Sequence, residues 1–377
     1  MTASIDLLLN PSLDRALPYG SHFTDIQNAA AALRALEAIS RWSGYAPTPL
    51  ISLPTIATKS GVANLYLKHE GHRFDLKSFK ALGGAYAVES IAQLSGDATA
   101  LTFTCATDGN HGRAVAWGAK RVGARAVIYV HETVSEGRAR AIAELGAEVR
   151  REGKTYDAAV RAADAASRVN GWILVSDTAY EGYEDIPKLV MQGYSVLPIE
   201  IQSQIPQPPT HVFVPGGVGG LAASVLAYVW ERHGVTRPKL IIVEPERAAC
   251  LLASARAGHA TTVGGDLETI MAGLSCGEPS SLAWRILQPG ADAFAAIPDS
   301  SAIEAMRTLA DLGYAVGESG VASLAGFLSI IEIPICRELL HLDTSSRVLV
   351  YGTEGATDPD LYRDLVGRHA GDVEPAA

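Results

Sequence analysis

Short apolar runs recur along this chain, and most lead through a turn into a longer stretch with helical spacing. The runs are Leu65-Tyr66-Leu67-Lys68, Ala100-Leu101-Thr102-Phe103-Thr104, Ala126 to Val130, Trp172 to Val175, His211-Val212-Phe213-Val214, Leu240-Ile241-Ile242-Val243 and Val348-Leu349-Val350-Tyr351. Helical periods follow Lys80 and cover Arg113 to Val122, Arg138 to Leu145, Asp157 to Val169 and Leu221 to Glu231. Such alternation predicts an α/β chain in which helices cover open, mostly parallel sheets. The proline-rich piece Ile205 to Pro209 reads as a stiff surface connection.

The chain has 377 residues, more than one compact core usually holds, so one large or two closely joined domains are expected. A net charge of −10 opposes general binding to nucleic acid or anionic membrane, which needs a basic surface. No run approaches the roughly 20 apolar residues that span a bilayer. Met1 to Gly20 lacks a basic start followed by a long apolar core, since Leu7-Leu8-Leu9 runs at once into Asn10 and Pro11, so no export signal is expected. Cys105, Cys250, Cys276 and Cys336 are scattered, without metal-site or disulfide-framework spacing. A cytoplasmic protein with mostly free thiols and no metal is the expectation.

Three segments carry candidate chemistry. Pro215-Gly216-Gly217-Val218-Gly219-Gly220-Leu221 follows a strand and opens a helix, so its backbone N–H groups can converge on an anion. A plain tight turn suits the same glycines, and neither P-loop nor dinucleotide spacing is present. Ser78-Phe79-Lys80 places a lysine at a predicted helix start, where partial burial and the helix dipole favour the neutral amine, although most lysines are simply surface residues. Thr107-Asp108-Gly109-Asn110-His111-Gly112 follows a strand end, where open α/β sheets bind ligands; the same side chains also suit a turn that satisfies its own backbone.

Those segments, with Gly352-Thr353-Glu354-Gly355, occur in the order seen in the fold-type II pyridoxal phosphate enzymes, and the chain resembles the diaminopropionate ammonia-lyase family within them. Arg73-Phe74, Asp177-Thr178-Ala179-Tyr180-Glu181-Gly182-Tyr183-Glu184, Met191-Gln192-Gly193-Tyr194, Ile270 to Pro279 and Gly317-Glu318-Ser319-Gly320 extend the likeness over roughly Thr48 to Pro359. The resemblance implies two open twisted, mostly parallel sheets flanked by helices, with a small domain, 81–186, inserted into a large one formed by 1–80 and 187–377. It also implies a homodimer and a small amino-acid substrate.

On the same grounds Lys80 is expected to carry pyridoxal phosphate through its ε-amine, with Phe79 against the ring and Asn110 at the ring hydroxyl. Gly216, Gly217, Val218, Gly219 and Gly220 would cradle the phosphate, and Thr353 would face the pyridine nitrogen. The implied reaction is α,β-elimination from 2,3-diaminopropionate or a similar small amino acid, giving pyruvate and ammonia. Lys80 is then the base for the L-isomer, and Asp108 and Asp177 select the second amine by sharing a proton that raises one of their pKa values. Asp108 also faces a D-isomer from the other side. Thr107 is a candidate for the substrate carboxylate. Asp75-Leu76-Lys77 and Val218 depart from the family pattern and bear on substrate choice. Glu318 either anchors a loop or lines the pocket, and Cys250 and Cys276 either pair or stay free. A serine, threonine or hydroxyaspartate dehydratase, and an inactive metabolite-binding regulator, are the competing readings.

Overall fold

The computed structural model describes residues 5–374; the first residues of the Met1–Gly20 segment and the tail beyond Glu374 lie outside it. Its strands are β1 (Asp6–Leu9), β2 (Leu50–Ser52), β3 (Asn64–His69), β4 (Thr102–Ala106), β5 (Arg125–Val130), β6 (Glu148–Arg151), β7 (Ile173–Leu174), β8 (His211–Pro215), β9 (Lys239–Pro245), β10 (Ala293–Ile297) and β11 (Arg347–Gly352). They form a seven-stranded sheet in the order β1-β10-β9-β8-β11-β3-β2 and a four-stranded sheet in the order β6-β5-β4-β7. The smaller sheet is all parallel. In the larger one only the edge strands β1 and β2 run antiparallel to their neighbours.

Alternation within the central strands shows why both faces must be covered. Val212, Val214, Leu240, Ile242 and Leu349 enter one core cluster, and Phe213, Ile241, Val243, Val348 and Val350 enter the other. At roughly 1.5–3 kcal/mol for each large apolar side chain fully buried, this two-sided burial is a main source of the sheet's stability. β10, Ala-Phe-Ala-Ala-Ile, was not anticipated because alanine-rich runs carry little strand preference. The Leu7-Leu8-Leu9 run forms most of β1, an edge strand against β10.

Two helices begin earlier than their spacing predicts. The helix Asn110–Val122 takes in Asn110, His111 and Gly112, which the sequence reads as turn, because the Thr107 hydroxyl accepts the N–H groups of Gly109 (2.9 Å) and Gly112 (3.0 Å). The helix Glu136–Ala143 starts ahead of Arg138 because Ser135 Oγ caps it, accepting the Arg138 N–H.

The segment after β3 is fixed from two sides. Buried Arg73 donates to Glu70 and Glu200, while Lys68 donates to Glu200. At the other side the Glu374 carboxylate accepts the Ala315 N–H (2.9 Å) and lies 3.2 Å from His69 Nε2 and 2.9 Å from His72 Nε2. Because His69 Nδ1 accepts the Gly71 N–H, its ring proton sits on Nε2 and points at Glu374. Burial works against this carboxylate's charge, yet the bonds from His69, Ala315 and His72 hold it at about 2. A depressed folded pKa stabilises above the unfolded value of about 4.3, and that stabilisation is lost as pH falls through about 2. The melting-temperature gap between the native protein and Glu374→Gln, followed by calorimetry, is therefore expected to close as pH drops across this window. A gap independent of pH would mean the charge contributes nothing.

Candidate active site

Four strand ends and the segment leading into Lys80 meet at one cavity of about 1110 Å³, its open mouth included. β8 runs into the glycine loop and the helix Gly220–His233. Gly219, at φ +95°, takes the left-handed turn that brings the chain onto the helix axis. Gly216 is required for a different reason: a Cβ there would stand 2.6 Å from Ile242 Cγ2. Its N–H already donates to the Val243 carbonyl at 2.7 Å, which corrects the expectation that Gly216 shares in an anion cradle. Among the described residues no acceptor pairs with the N–H groups of Gly217, Val218 and Gly219. With the first-turn N–H groups of the helix they form a donor set suited to a phosphate.

Lys80 is delivered by an unusual backbone path. Phe74, Asp75 and Lys77, none a glycine, have φ values of 51°, 57° and 56°. Left-handed residues of this kind cost about 1–3 kcal/mol each and persist only where surrounding contacts impose them. Residues 77–79 then run antiparallel beside the Gly352–Gly355 turn: the Phe79 N–H donates to Thr353 O (3.1 Å) and the Gly355 N–H to Lys77 O (2.9 Å). This pairing puts Thr353 beside Lys80, the first residue of the helix Lys80–Ser95.

Lys80 Nζ donates to Asp177 Oδ2 at 2.6 Å. Burial disfavours the lysine's charge, but Asp177 outweighs it and raises the pKa. Burial likewise opposes the Asp177 carboxylate, and Lys80 and His111 pull its pKa well down. Two expectations are corrected by this pair. The helix start does not make Lys80 a neutral amine, because an anion faces it directly. Asp177 does not share a proton with Asp108 either: Asp108 Oδ1 lies 2.7 Å from His131 Nε2 instead. Buried His111 stands 3.9 Å from Asp177 and 2.8 Å from the Val175 carbonyl, and its burial lowers its pKa.

Of the remaining expected residues Phe79, Thr107, Asn110, Thr353 and Cys276 line this cavity, whereas Glu318 and Cys250 stand behind its wall. Phe79 packs on Tyr194 with ring centroids 4.7 Å apart, and Asn110 donates to the Glu354 carboxylate. The two N–H groups accepted by the Thr107 hydroxyl leave only its own hydrogen for a ligand. Glu318 accepts from Arg138 at 2.6 Å, and burial next to Glu354 pushes it up to about 8. Cys250 and Cys276 are both free thiols; Cys276 lies in the cavity wall, where burial pushes it up to about 12. Sequence reasoning gave no role to Glu354, Tyr194, Arg138 or His131. The first two sit inside quoted motifs, whereas nothing local marks His131.

An orphaned hydroxyl, Tyr194 Oη, a lysine side chain and a loop of free N–H groups thus share one space, and they fit a phosphorylated aldehyde cofactor. The family described as pyridoxal-phosphate dependent enzyme matches residues 42–350. A diaminopropionate ammonia-lyase of Escherichia coli strain K12 is 40% identical over 358 residues, covering 87% of this chain and 89% of that one. The crystal structure of the Escherichia coli diaminopropionate ammonia-lyase in complex with D-serine superposes with a TM-score of 0.89 at 36% identity, over 98% of this chain and 99% of that one. The same enzyme in complex with an aminoacrylate-PLP azomethine reaction intermediate gives 0.88 at 36% identity, over 99% of each chain.

Proposed function

The chain belongs to the diaminopropionate ammonia-lyase family of pyridoxal phosphate-dependent enzymes, and from that premise we propose how its own residues carry out the elimination. It is a pyridoxal phosphate-dependent ammonia-lyase of the fold-type II class, acting on 2,3-diaminopropionate or a closely similar small amino acid and yielding pyruvate and ammonia. No described helix is long and apolar enough to cross a membrane.

Lys80 holds the cofactor through its ε-amine, Gly217, Val218, Gly219 and Gly220 hold the phosphate, and Phe79, Asn110 and Thr353 border the ring. The cofactor supplies an electron sink next to the substrate's α-carbon. The observation that carries the substrate assignment is the 2.6 Å contact between Lys80 and Asp177 in a cavity that Asp108 also lines. Asp177 is an anion whose cation can be exchanged: a second ammonium on the substrate replaces Lys80 as its partner. Without that anion beside it the Lys80 ammonium gives up its proton to water more readily, and the neutral amine can then act as the base on the L-isomer. Asp108 serves as base for the D-isomer, and Thr107 offers its hydroxyl hydrogen to the substrate carboxylate.

The four-stranded sheet lies within the segment 81–186, which acts as a small domain inserted into a large one made of 1–80 and 187–377. Its closure over the site excludes water. The enzyme works as a cytoplasmic homodimer.

Asp177→Asn tests the assignment through steady-state release of keto acid. Turnover of 2,3-diaminopropionate is expected to fall ~100-fold or more, the size seen when one partner of a desolvated charge pair is removed, while turnover of serine falls less than ~10-fold. Equal losses on both would refute selection by Asp177.

A further inference from the structure

Asp108 stands in the wall between two cavities. One is the pocket containing Lys80; the other, on the outer side, is lined by Asp108, His131 and Thr133. His131 and Thr133 do not reach the inner pocket. The Asp108 and His131 side chains are 22% and 15% exposed, so they are shielded but not sealed. His131 Nε2 lies 2.7 Å from Asp108 Oδ1, and exposed Thr133 Oγ1 lies 2.9 Å from His131 Nδ1.

A threonine hydroxyl both donates and accepts, so the chain is satisfied in either of two proton arrangements. In one, His131 Nε2–H donates to the carboxylate and Nδ1 accepts from Thr133. In the other, the protonated carboxyl donates to Nε2, and Nδ1–H donates to Thr133. The second arrangement holds one proton more than the first, so returning from it to the first releases that proton through Nδ1 and Thr133 to the outer cavity and leaves no buried group unpaired.

We propose that His131 is a positioning and proton-discharge residue for Asp108: it holds the carboxylate toward the inner pocket and passes the proton collected there to solvent. The proposal rests on the reading of Asp108 as base for the D-isomer. In that reaction the α C–H bond breaks and its proton forms an O–H bond on Asp108, while the electron pair stays with the substrate. The β C–N bond then breaks and its pair leaves with ammonia. With Asp108 protonated, His131 moves its single ring proton from Nε2 to Nδ1 by exchange with water in the outer cavity; Nε2 then accepts the Asp108 proton as the Nδ1 proton leaves through Thr133, which restores the carboxylate and the Nε2–H tautomer. Nothing is oxidised or reduced.

Two variants separate the roles. Leucine at position 131 removes both the hydrogen bond and the relay, whereas glutamine keeps an N–H donor for Asp108 but cannot pass a proton through. With His131→Leu, kcat on D-2,3-diaminopropionate is expected to fall ~100-fold while kcat on the L-isomer stays within about twofold. With His131→Gln, KM for the D-isomer should remain near the native value while its kcat falls ~10-fold, and imidazole added to the buffer should restore part of the His131→Leu rate. Side-chain 15N NMR of the cofactor-free protein supplies a readout apart from turnover: the Nε2–H tautomer of His131 is expected in the native chain and is lost in Asp108→Ala. D- and L-rates that fall together, an unchanged D-rate, or a tautomer indifferent to Asp108 would overturn the relay while leaving Asp108 as the base. A native enzyme active on the L-isomer and inert on the D-isomer would overturn the Asp108 reading and the relay with it.

Discussion

Lys80→Ala is expected to leave a protein that no longer forms the visible band of covalently bound pyridoxal phosphate and that releases pyruvate from 2,3-diaminopropionate on the order of 10⁴-fold or more slowly. Losses of that size follow removal of a group that both bonds the reacting species and moves its proton. Lys80 is the one lysine in the wall of the inner cavity, so among the described residues no neighbouring amine can replace it there. The substitution also strips Asp177 of its 2.6 Å partner. Lys80→Arg provides the control, because arginine keeps a cation for Asp177 while its guanidinium stays protonated and forms no such bond. Both variants should lack the band, with the arginine form closer to native in thermal stability. Retention of the band in either, or turnover within tenfold of native in Lys80→Ala, would show that another group carries the cofactor.

Glu200→Gln is expected to destabilise the fold by about 3–5 kcal/mol, read from urea unfolding, because it removes one anion from a buried, balanced set of two cations and two anions. Arg73 places one N–H on each Glu200 oxygen at 2.9 Å and also reaches Glu70 and the Thr48 hydroxyl. Lys68 donates to Glu200 (2.7 Å), the Thr48 carbonyl (2.8 Å) and Gln204 (2.9 Å). All four charged side chains are at most 2% exposed, so water cannot take over the missing charge. Burial opposes the Glu200 charge, yet bonds from Arg73 and attraction to Arg73 and Lys68 still lower its pKa, whereas at Lys68 burial outweighs the attraction of Glu70 and Glu200 and lowers the pKa; pairing wins at the carboxylate but not at the ammonium. The double variant Glu200→Gln with Lys68→Met restores neutrality and should regain part of the loss. A loss below about 1 kcal/mol in the single variant would mean that the network relaxes without cost. Because this network holds the residue just before the left-handed residues Phe74, Asp75 and Lys77, weaker cofactor retention by Glu200→Gln is expected as well.

The parts of the site that were legible in the sequence are those built from local signals. An apolar run, a cluster of glycines and a helical period together predict a strand, a donor-rich loop and a helix, and β8, the loop 216–220 and the helix Gly220–His233 follow that prediction. Lys80 was found as a residue type at a helix start, and Asp177 as a carboxylate inside a motif. Their meeting was not legible, nor was its effect on either charge, because 97 residues separate them. Asn110 and Glu354 meet across 244 residues, and the role of Gly216 was misjudged because its N–H partner, Val243, lies on the neighbouring strand.

By itself, then, the order of residues determined which segments form strands, helices and anion-ready turns, since those depend on torsional preference and on apolar spacing within a dozen neighbours. Tertiary structure alone decided which charge faces which. The strand order β8-β11-β3 and the left-handed path through Phe74, Asp75 and Lys77 bring distant side chains within hydrogen-bonding distance, where one ångström separates an ion pair from two isolated groups. Protonation at Lys80 and Asp177 follows from that distance and from their partial burial, quantities that no stretch of local sequence contains.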